Sequence, residues 1–317
     1  MKKIFKLLTL VLLIGLLFTG CARREQDEVV VNNNDALIWQ VTDTDGNSMY
    51  LVGSIHVGKK SMFPLPEKLL KAFKESDALA VEVNINEIEN DEEYIAAMTE
   101  VMFLTDSSLE DYVAEEDVDA LNEKLELIAK STGIPTETLT YLHPAMVTSF
   151  LDELVYEELG YKAKYGVDQY FLDEAEDKNM EIIEIENGID QLNMLFNFSD
   201  AIQKMLIKSS LNITEEDKKV LEEMVSLYNL GDTDKFDKFM SDMYKSDTEN
   251  MSKAEKKLYD SYSKIMEDDR NILMVEKIEE LLKTDKKVFY IVGSAHYFGD
   301  TGILKLLEDK GYTVTDL

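Results

Sequence analysis

Tyr50-Leu51-Val52-Gly53-Ser54-Ile55-His56 is an apolar, strand-like run that stops on a glycine and delivers a histidine three residues later. Tyr290-Ile291-Val292-Gly293-Ser294-Ala295-His296 repeats the phrase near the other end of the chain. The chain has 3 histidines, and the two phrases hold two of them. Short β-branched and aromatic runs read as buried strands. In open α/β sheets, ligands bind at the carboxyl ends of such strands. Imidazole at that rim suits acid–base chemistry or metal ligation, because its pKa lies near neutrality. A glycine-ended strand can also simply feed a turn, but two matched copies favour function.

Outward from the first phrase, Ala36 to Thr42 and Ser48 to Ile55 read as strands joined by a hairpin turn at residues 43–47. That turn superficially resembles a calcium loop. An EF-hand needs glycine at its sixth position and glutamate at its twelfth, and here Ser48 and Ser54 stand there. Pro64 to Ser76 reads as a helix with Leu65, Leu69, Leu70 and Phe73 on one side. Ala78 to Val83 is the next strand, so strand, helix and strand form a crossover unit of parallel strands.

The middle is largely helical. Val118, Leu121, Leu125 and Ile128 mark one amphipathic helix, and residues 135–159 another, interrupted near Pro144. Gly166 to Lys178 is helical and Met180 to Ile185 is a short strand. Helical periodicity dominates from Ser199 to about Lys283. Lys287 to Val292 is the strand of the second phrase, followed by a helix at 300–310 and a final strand at 312–315. The expected fold is therefore α/β: a mixed sheet drawn from both chain ends and some middle strands, with large helical insertions at about 90–160 and 199–268. Residues 36–317 are expected to form a single domain.

The first twenty residues read as a signal peptide. Lys2, Lys3 and Lys6 precede an apolar stretch from Leu7 to Phe18, too short to span a bilayer comfortably. Small residues then lead to Cys21, the one cysteine of the chain, as in a bacterial lipoprotein signal. The departure is Phe18, where leucine is usual. With no second cysteine to pair, Cys21 is expected to become a lipidated N-terminus at the extracytoplasmic face of the membrane. Residues 21–35 read as a flexible tether. The remaining roughly 280 residues can bury a core without disulfides. Acidic residues outnumber basic ones 64 to 33, a net charge of −31. That argues against nucleic acid and against anionic headgroups as partners.

Glu82 interrupts an apolar strand near its carboxyl end. A carboxylate buried there is costly unless paired, hydrogen-bonded or bound to metal. An edge strand facing water is the plainer alternative. Asp168 stands in the first turn of its helix, where a carboxylate suits the helix dipole; it is also a candidate for site support. His143 matches neither phrase and reads as structural or surface. No His-Glu-x-x-His zinc motif occurs. Ser54 and Ser294 lack the Gly-x-Ser-x-Gly setting of a nucleophile elbow. Walker-type and dinucleotide-binding glycine patterns are absent too.

Gly53-Ser54-Ile55-His56-Val57-Gly58, Phe63-Pro64-Leu65-Pro66, Ala80-Val81-Glu82-Val83, Tyr165-Gly166-Val167-Asp168, Asp269-Arg270-Asn271, Gly293-Ser294-Ala295-His296 and Gly311-Tyr312-Thr313-Val314 together resemble the TraB/GumN family. The resemblance spans nearly the whole chain after residue 36, with little signature at about 90–159 and 199–268. The family includes membrane-tethered metal-dependent proteases of the Tiki kind and proteins linked to shutdown of conjugation pheromones. Its distant relatives are erythromycin-esterase-like hydrolases and haem-binding proteins, whose fold the resemblance implies here. It also implies a site of two Gly-x-x-His histidines and an acid, which by position are His56, His296 and Glu82, with Arg270 at a further family position.

Two imidazoles and one carboxylate suffice to hold a divalent metal such as Mn, Co or Zn with positions left for water. Such an ion would support amide or ester hydrolysis. Arg270 could stabilise the developing oxyanion or hold a substrate carboxylate, or form a structural ion pair. The leading expectation is a membrane-anchored metal-dependent hydrolase acting on peptides or proteins. The alternatives are a metal-free esterase-like hydrolase, with His56 as base oriented by Glu82, and a non-enzymatic lipoprotein that sequesters peptides or haem.

Overall fold

In the computed structural model, which describes residues 35–88 and 90–317, the two repeated phrases lie side by side. They form strands β2 (Ser48–Ser54) and β5 (Val288–Gly293), which pair parallel with Gly53 opposite Val292 and Ser54 opposite Gly293. The other strands are β1 (Ile38–Thr42), β3 (Ala78–Val81), β4 (Glu181–Glu184) and β6 (Thr313–Asp316). The sheet order is β4-β3-β5-β2-β1-β6. β1 runs antiparallel to both β2 and β6, whereas β2, β5, β3 and β4 are mutually parallel. This is the expected mixed α/β sheet drawn from both chain ends. The crossover from β2 to β3 is parallel, but the two strands are not neighbours, because β5 inserts between them.

Composition explains the positions. Every residue of β5 before Gly293 is buried, as fits a strand covered on both faces. Phe289 packs with Phe73 and Phe171, ring centroids 5.4 and 4.6 Å away, from the helices Glu67–Lys74 and Val167–Asp177. Its neighbour Tyr290 points to the opposite face and donates to the Met274 carbonyl of the helix Asp269–Leu281 at 3.1 Å. The edge strand β4 reads Glu-Ile-Ile-Glu and is only partly buried.

The described residues group into two compact units. One, residues 85–161 and 188–220, is helical; the other, residues 35–84, 162–187 and 221–317, contains the whole sheet. The expected insertion at about 90–160 lies in the helical unit. Of the second, only 199–220 does, and the chain from 221 onward groups with the sheet. His143 caps the helix Pro144–Glu158 in the helical unit: its Nδ1 accepts from the Ala145 N–H at 3.2 Å, and its ring lies 4.7 Å from that of Phe196. Proline follows it at the first helical position, where a missing N–H costs nothing. The signal-peptide and Cys21 readings, and all but the last tether residue, fall on residues 1–34, outside those described.

Candidate functional site

Strand order assembles the site. β4, β3, β5 and β2 run parallel in adjacent positions, so their carboxyl ends form one rim. β3 stops at Val81, and Glu82 is the first residue beyond it rather than a residue within the strand. The ladder continues through its side chain: Glu82 Oε1 accepts the Gly293 N–H at 2.6 Å. Beyond β4, Ile185 and Glu186 donate their N–H groups to the Val81 and Glu82 carbonyls, which brings Glu186 to the same rim. β5 leads into the short helical turn Ser294–Tyr297 that carries His296. β2 leads to His56.

The centre is an ion-paired chain. Arg270 NH2 donates to Glu82 Oε2 at 2.6 Å. Its Nε and NH2 also grip Glu186, at 2.8 and 2.6 Å, in a two-pronged pair. NH1 donates to the Met266 carbonyl at 3.1 Å. Arg270 and Glu82 are each 6% exposed at the side chain. Burial opposes the Glu82 charge, but Arg270 chiefly, with the histidines and the Gly293 N–H, outweighs it and holds the carboxyl down at about 2. Glu82 is thus an anion with a counter-charge beside it, one that Glu186 and the Met266 carbonyl hold in place through the guanidinium's other donors.

The two histidines are pinned through the same nitrogen. His56 Nδ1 lies 2.7 Å from Asp168 Oδ2, and its Nε2 lies 3.8 Å from Glu82 Oε1. Asp168 comes within reach because its helix starts against the first phrase. Val167 N–H donates to the Ile55 carbonyl at 2.9 Å, and Asp168 N–H to Ser54 Oγ at 3.1 Å. Gly166 allows this approach, since a Cβ there would sit 2.7 Å from the His56 carbonyl oxygen. His296 Nδ1 lies 2.7 Å from Asn271 Oδ1.

The two rings differ in charge. Burial disfavours the His56 proton, but the Asp168 and Glu82 carboxylates outweigh it and raise the pKa to about 9. His296 has no adjoining carboxylate on Nδ1. Burial and the Arg270 charge push its pKa down to about 3.

All these side chains belong to the sheet unit. They converge where Gly293 lacks a side chain: a Cβ there would lie 3.2 Å from His56 Nε2, 3.4 Å from Glu82 Oε1 and 3.7 Å from His296 Cδ2. Of the residues expected from the sequence, His56, Glu82, His296, Arg270 and Asp168 are brought together here. Glu186, Asn271 and Tyr228 were not singled out. The Tyr228 hydroxyl donates to the Gly53 carbonyl at 2.9 Å and so holds the first phrase's turn. Glu186 had one available signal, since it repeats the strand-then-glutamate pattern of Glu82.

The model of the TraB/PrgY/gumN family matches residues 37–316. Two curated relatives carry the name Uncharacterized protein YbaP. The one from Escherichia coli K12 is 27% identical over 186 residues, 59% of this chain and 66% of its own length. The one from Shigella flexneri is 28% identical over 177 residues, 56% of this chain and 62% of its own length. The chain thus spans just under two thirds of these relatives. No solved structure matches.

Proposed function

The chain belongs to the TraB/PrgY/gumN family, and for this member we propose metal-dependent hydrolysis of a peptide or protein at the rim built around Gly293. The observation that carries the reading is the convergence of His56 Nε2, Glu82 Oε1 and the His296 ring edge on the space left by that glycine. Among the described residues no three such groups form a ready-made coordination cage, so the fit is judged on donor chemistry. It is good on two counts. Each imidazole has its Nδ1 engaged by an outside partner, the usual arrangement of a metal-ligating histidine, whose other nitrogen is held by a carboxylate or carbonyl. Glu82 is ionised, and its Oε1 carries only the Gly293 N–H, leaving lone-pair capacity.

His56, His296 and Glu82 would hold the ion, with Mn, Co or Zn in keeping with imidazole and carboxylate donors. A divalent ion at such a site polarises a carbonyl and supplies a nucleophilic water near neutral pH. The chain's own residues do the rest. Arg270 keeps Glu82 charged although buried. Glu186 keeps Arg270 in place. Asp168 orients His56 by accepting from its Nδ1–H. Asp168 Oδ1 is buried without a hydrogen-bond partner, an acceptor for a water or a substrate N–H.

A second reading is favoured by the opposed titration of the two rings. At neutral pH His56 is charged and His296 is not, and such a split assigns an acid and a base. In a metal-free hydrolase His56 would donate to the leaving group and His296 would accept from water. Asp168, rather than Glu82, would orient His56. Metal content and peptide cleavage of the purified protein, with and without exhaustive chelation, separate the two. Loss of cleavage on chelation, with recovery on adding metal, supports the first; cleavage indifferent to chelation sinks it in favour of the second. Anchoring through a lipid on Cys21 belongs to the same proposal, and Cys21→Ser should release the protein from membranes.

A further inference from the structure

Asn271 follows Arg270 on the helix Asp269–Leu281, is buried, and has both ends of its carboxamide engaged. Nδ2 donates to the Thr301 backbone carbonyl at 3.0 Å, and Oδ1 lies 2.7 Å from His296 Nδ1. A carbonyl oxygen has only lone pairs, so the amide group must turn its NH2 toward Thr301. That leaves its oxygen, an acceptor only, facing His296. The hydrogen between Asn271 and the ring must therefore sit on Nδ1, and in the neutral ring the lone pair falls on Nε2. The Cδ2–Nε2 edge is the one turned to the site, since Cδ2 lies 3.7 Å from the empty Cβ position of Gly293.

The anchor is itself clamped. Thr301 Oγ1 donates to Asp268 Oδ1 at 2.7 Å. Asp268 and Asn271 stand one helical turn apart, and they grip the same residue by its hydroxyl and its carbonyl. Asp268 closes the π turn Lys264–Asp268 that leads into the helix, and such turns often re-aim side chains at functional sites. The 298–302 turn is tight as well: a Cβ on Gly302 would meet the Phe298 carbonyl oxygen at 2.3 Å.

We propose that Asn271 is the positioning residue of His296: clamped by Thr301, it fixes the Nδ1–H tautomer and presents a bare Nε2 to the site. What Nε2 then does rests on the reading above; the tautomer does not. Asn271 holds His296 as Asp168 holds His56, through a neutral amide in place of a carboxylate.

The test uses purified protein, metal-free, with ¹⁵N-labelled histidine. Three histidines give three ring patterns, assigned with His143→Gln and His56→Gln. Wild-type His296 should show a protonated Nδ1 and an unprotonated Nε2. Asn271→Asp, which keeps the acceptor but adds a charge, should keep Nδ1 protonated and, as Asp168 does for His56, raise the ring's pKa. Asn271→Ala should lose the wild-type pattern, the Nε2–H form becoming the major one. A wild-type ring protonated on Nε2 alone overturns the assignment, and this reading does not require the Asn271 variants to fold. So does an Asn271→Ala ring that keeps the Nδ1–H form.

Zinc titration is the second readout. Asn271→Ala should weaken zinc binding by roughly 10–100-fold, as for loss of a partner that orients a ligand, and Asn271→Asp should recover most of that. The expected tautomer in a wild type that binds no zinc leaves Asn271's role standing and overturns the metal reading. Zinc binding with the wrong tautomer does the reverse.

Discussion

The His56 and His296 phrases differ by little in sequence, and they end on neighbouring strands in parallel register. Their histidines are nevertheless opposites. The His56 side chain keeps 21% of its surface exposed, faces two carboxylates and holds its proton to about pH 9. His296 is buried, faces a carboxamide and the Arg270 charge, and stays neutral down to about pH 3. The lesson is that the phrase delivers an imidazole to a place, and the residue that meets Nδ1 decides what the imidazole is. That residue comes from elsewhere in the chain: Asp168 in one case, Asn271 in the other.

Removing Arg270 should disturb this contrast most. Arg270→Ala takes the counter-charge from the buried Glu82 and the partly buried Glu186, and breaking a buried pair in this way costs about 3–5 kcal/mol. Denaturant unfolding measures it; a loss below about 1 kcal/mol would mean that water already reaches the pair.

The two histidines should also give stability slopes of opposite sign. For His56 the folded pKa is raised, so its stabilisation is full below the ordinary 6.5 and is lost as pH rises through about 9. For His296 the folded pKa is depressed. The unfolded chain takes up a proton that the folded one refuses, so stability falls as pH drops from 6.5 toward about 3. At about 1.4 kcal/mol per unit, the alkaline limb amounts to roughly 3 kcal/mol and the acid limb to roughly 5 kcal/mol. Asp168→Asn should flatten the alkaline limb and leave the acid one; His296→Asn should do the opposite. Melting curves from pH 4 to 9 that show both variants with wild-type slopes would contradict the assignment.

The two glycines sharpen the comparison further. A Cβ on Gly53 would press on Leu37 and Ser294, each at 3.2 Å, whereas one on Gly293 would meet His56 and Glu82. Gly53→Ala should cost about 1–3 kcal/mol through overpacking. Gly293→Ala should cost less than that but abolish zinc binding, since its methyl fills the space the donors share. Equal zinc affinity in Gly293→Ala and wild type would move the metal elsewhere. Smallest of all, Tyr228→Phe removes one hydrogen bond to the Gly53 carbonyl and should cost about 1 kcal/mol, with the His56 titration by NMR shifted little.

Much of this was legible in the chain itself. Periodicity marks the strands and most helices, and the repeated phrase marks two strand ends. Glu82 stands out because a charge follows four apolar residues. The order of the strands is less legible, because nothing local in Val288–Gly293 says that it pairs between β2 and β3. Partners joined over long sequence distances are the least legible. Asp168 suits a helix start by its local setting alone, and its contact with His56 spans 112 residues. Asn271 looks like any polar residue after a charged one, and only the placement of Thr301 gives its carboxamide a direction. Glu186 lies just past an edge strand bounded by glutamates, so its strand-then-glutamate signal is easily read as solvent exposure.

The position of β5 has a consequence for biogenesis. Among the six strands it is fifth to be synthesised, yet it lies between β2 and β3. Until it emerges, the hairpin β1–β2 and the pair β3–β4 each present an open edge ready to recruit another chain. Pairings of such high sequence separation also form slowly. From the completion of β4 until β5 emerges the nascent chain therefore carries two sticky half-sheets, and a premature stop before Val288 would leave them permanently unjoined. A protein with this strand order is suited to being kept unfolded until β5 is available, and the rim that joins His56, Glu82 and His296 cannot form in a product that stops before Val288.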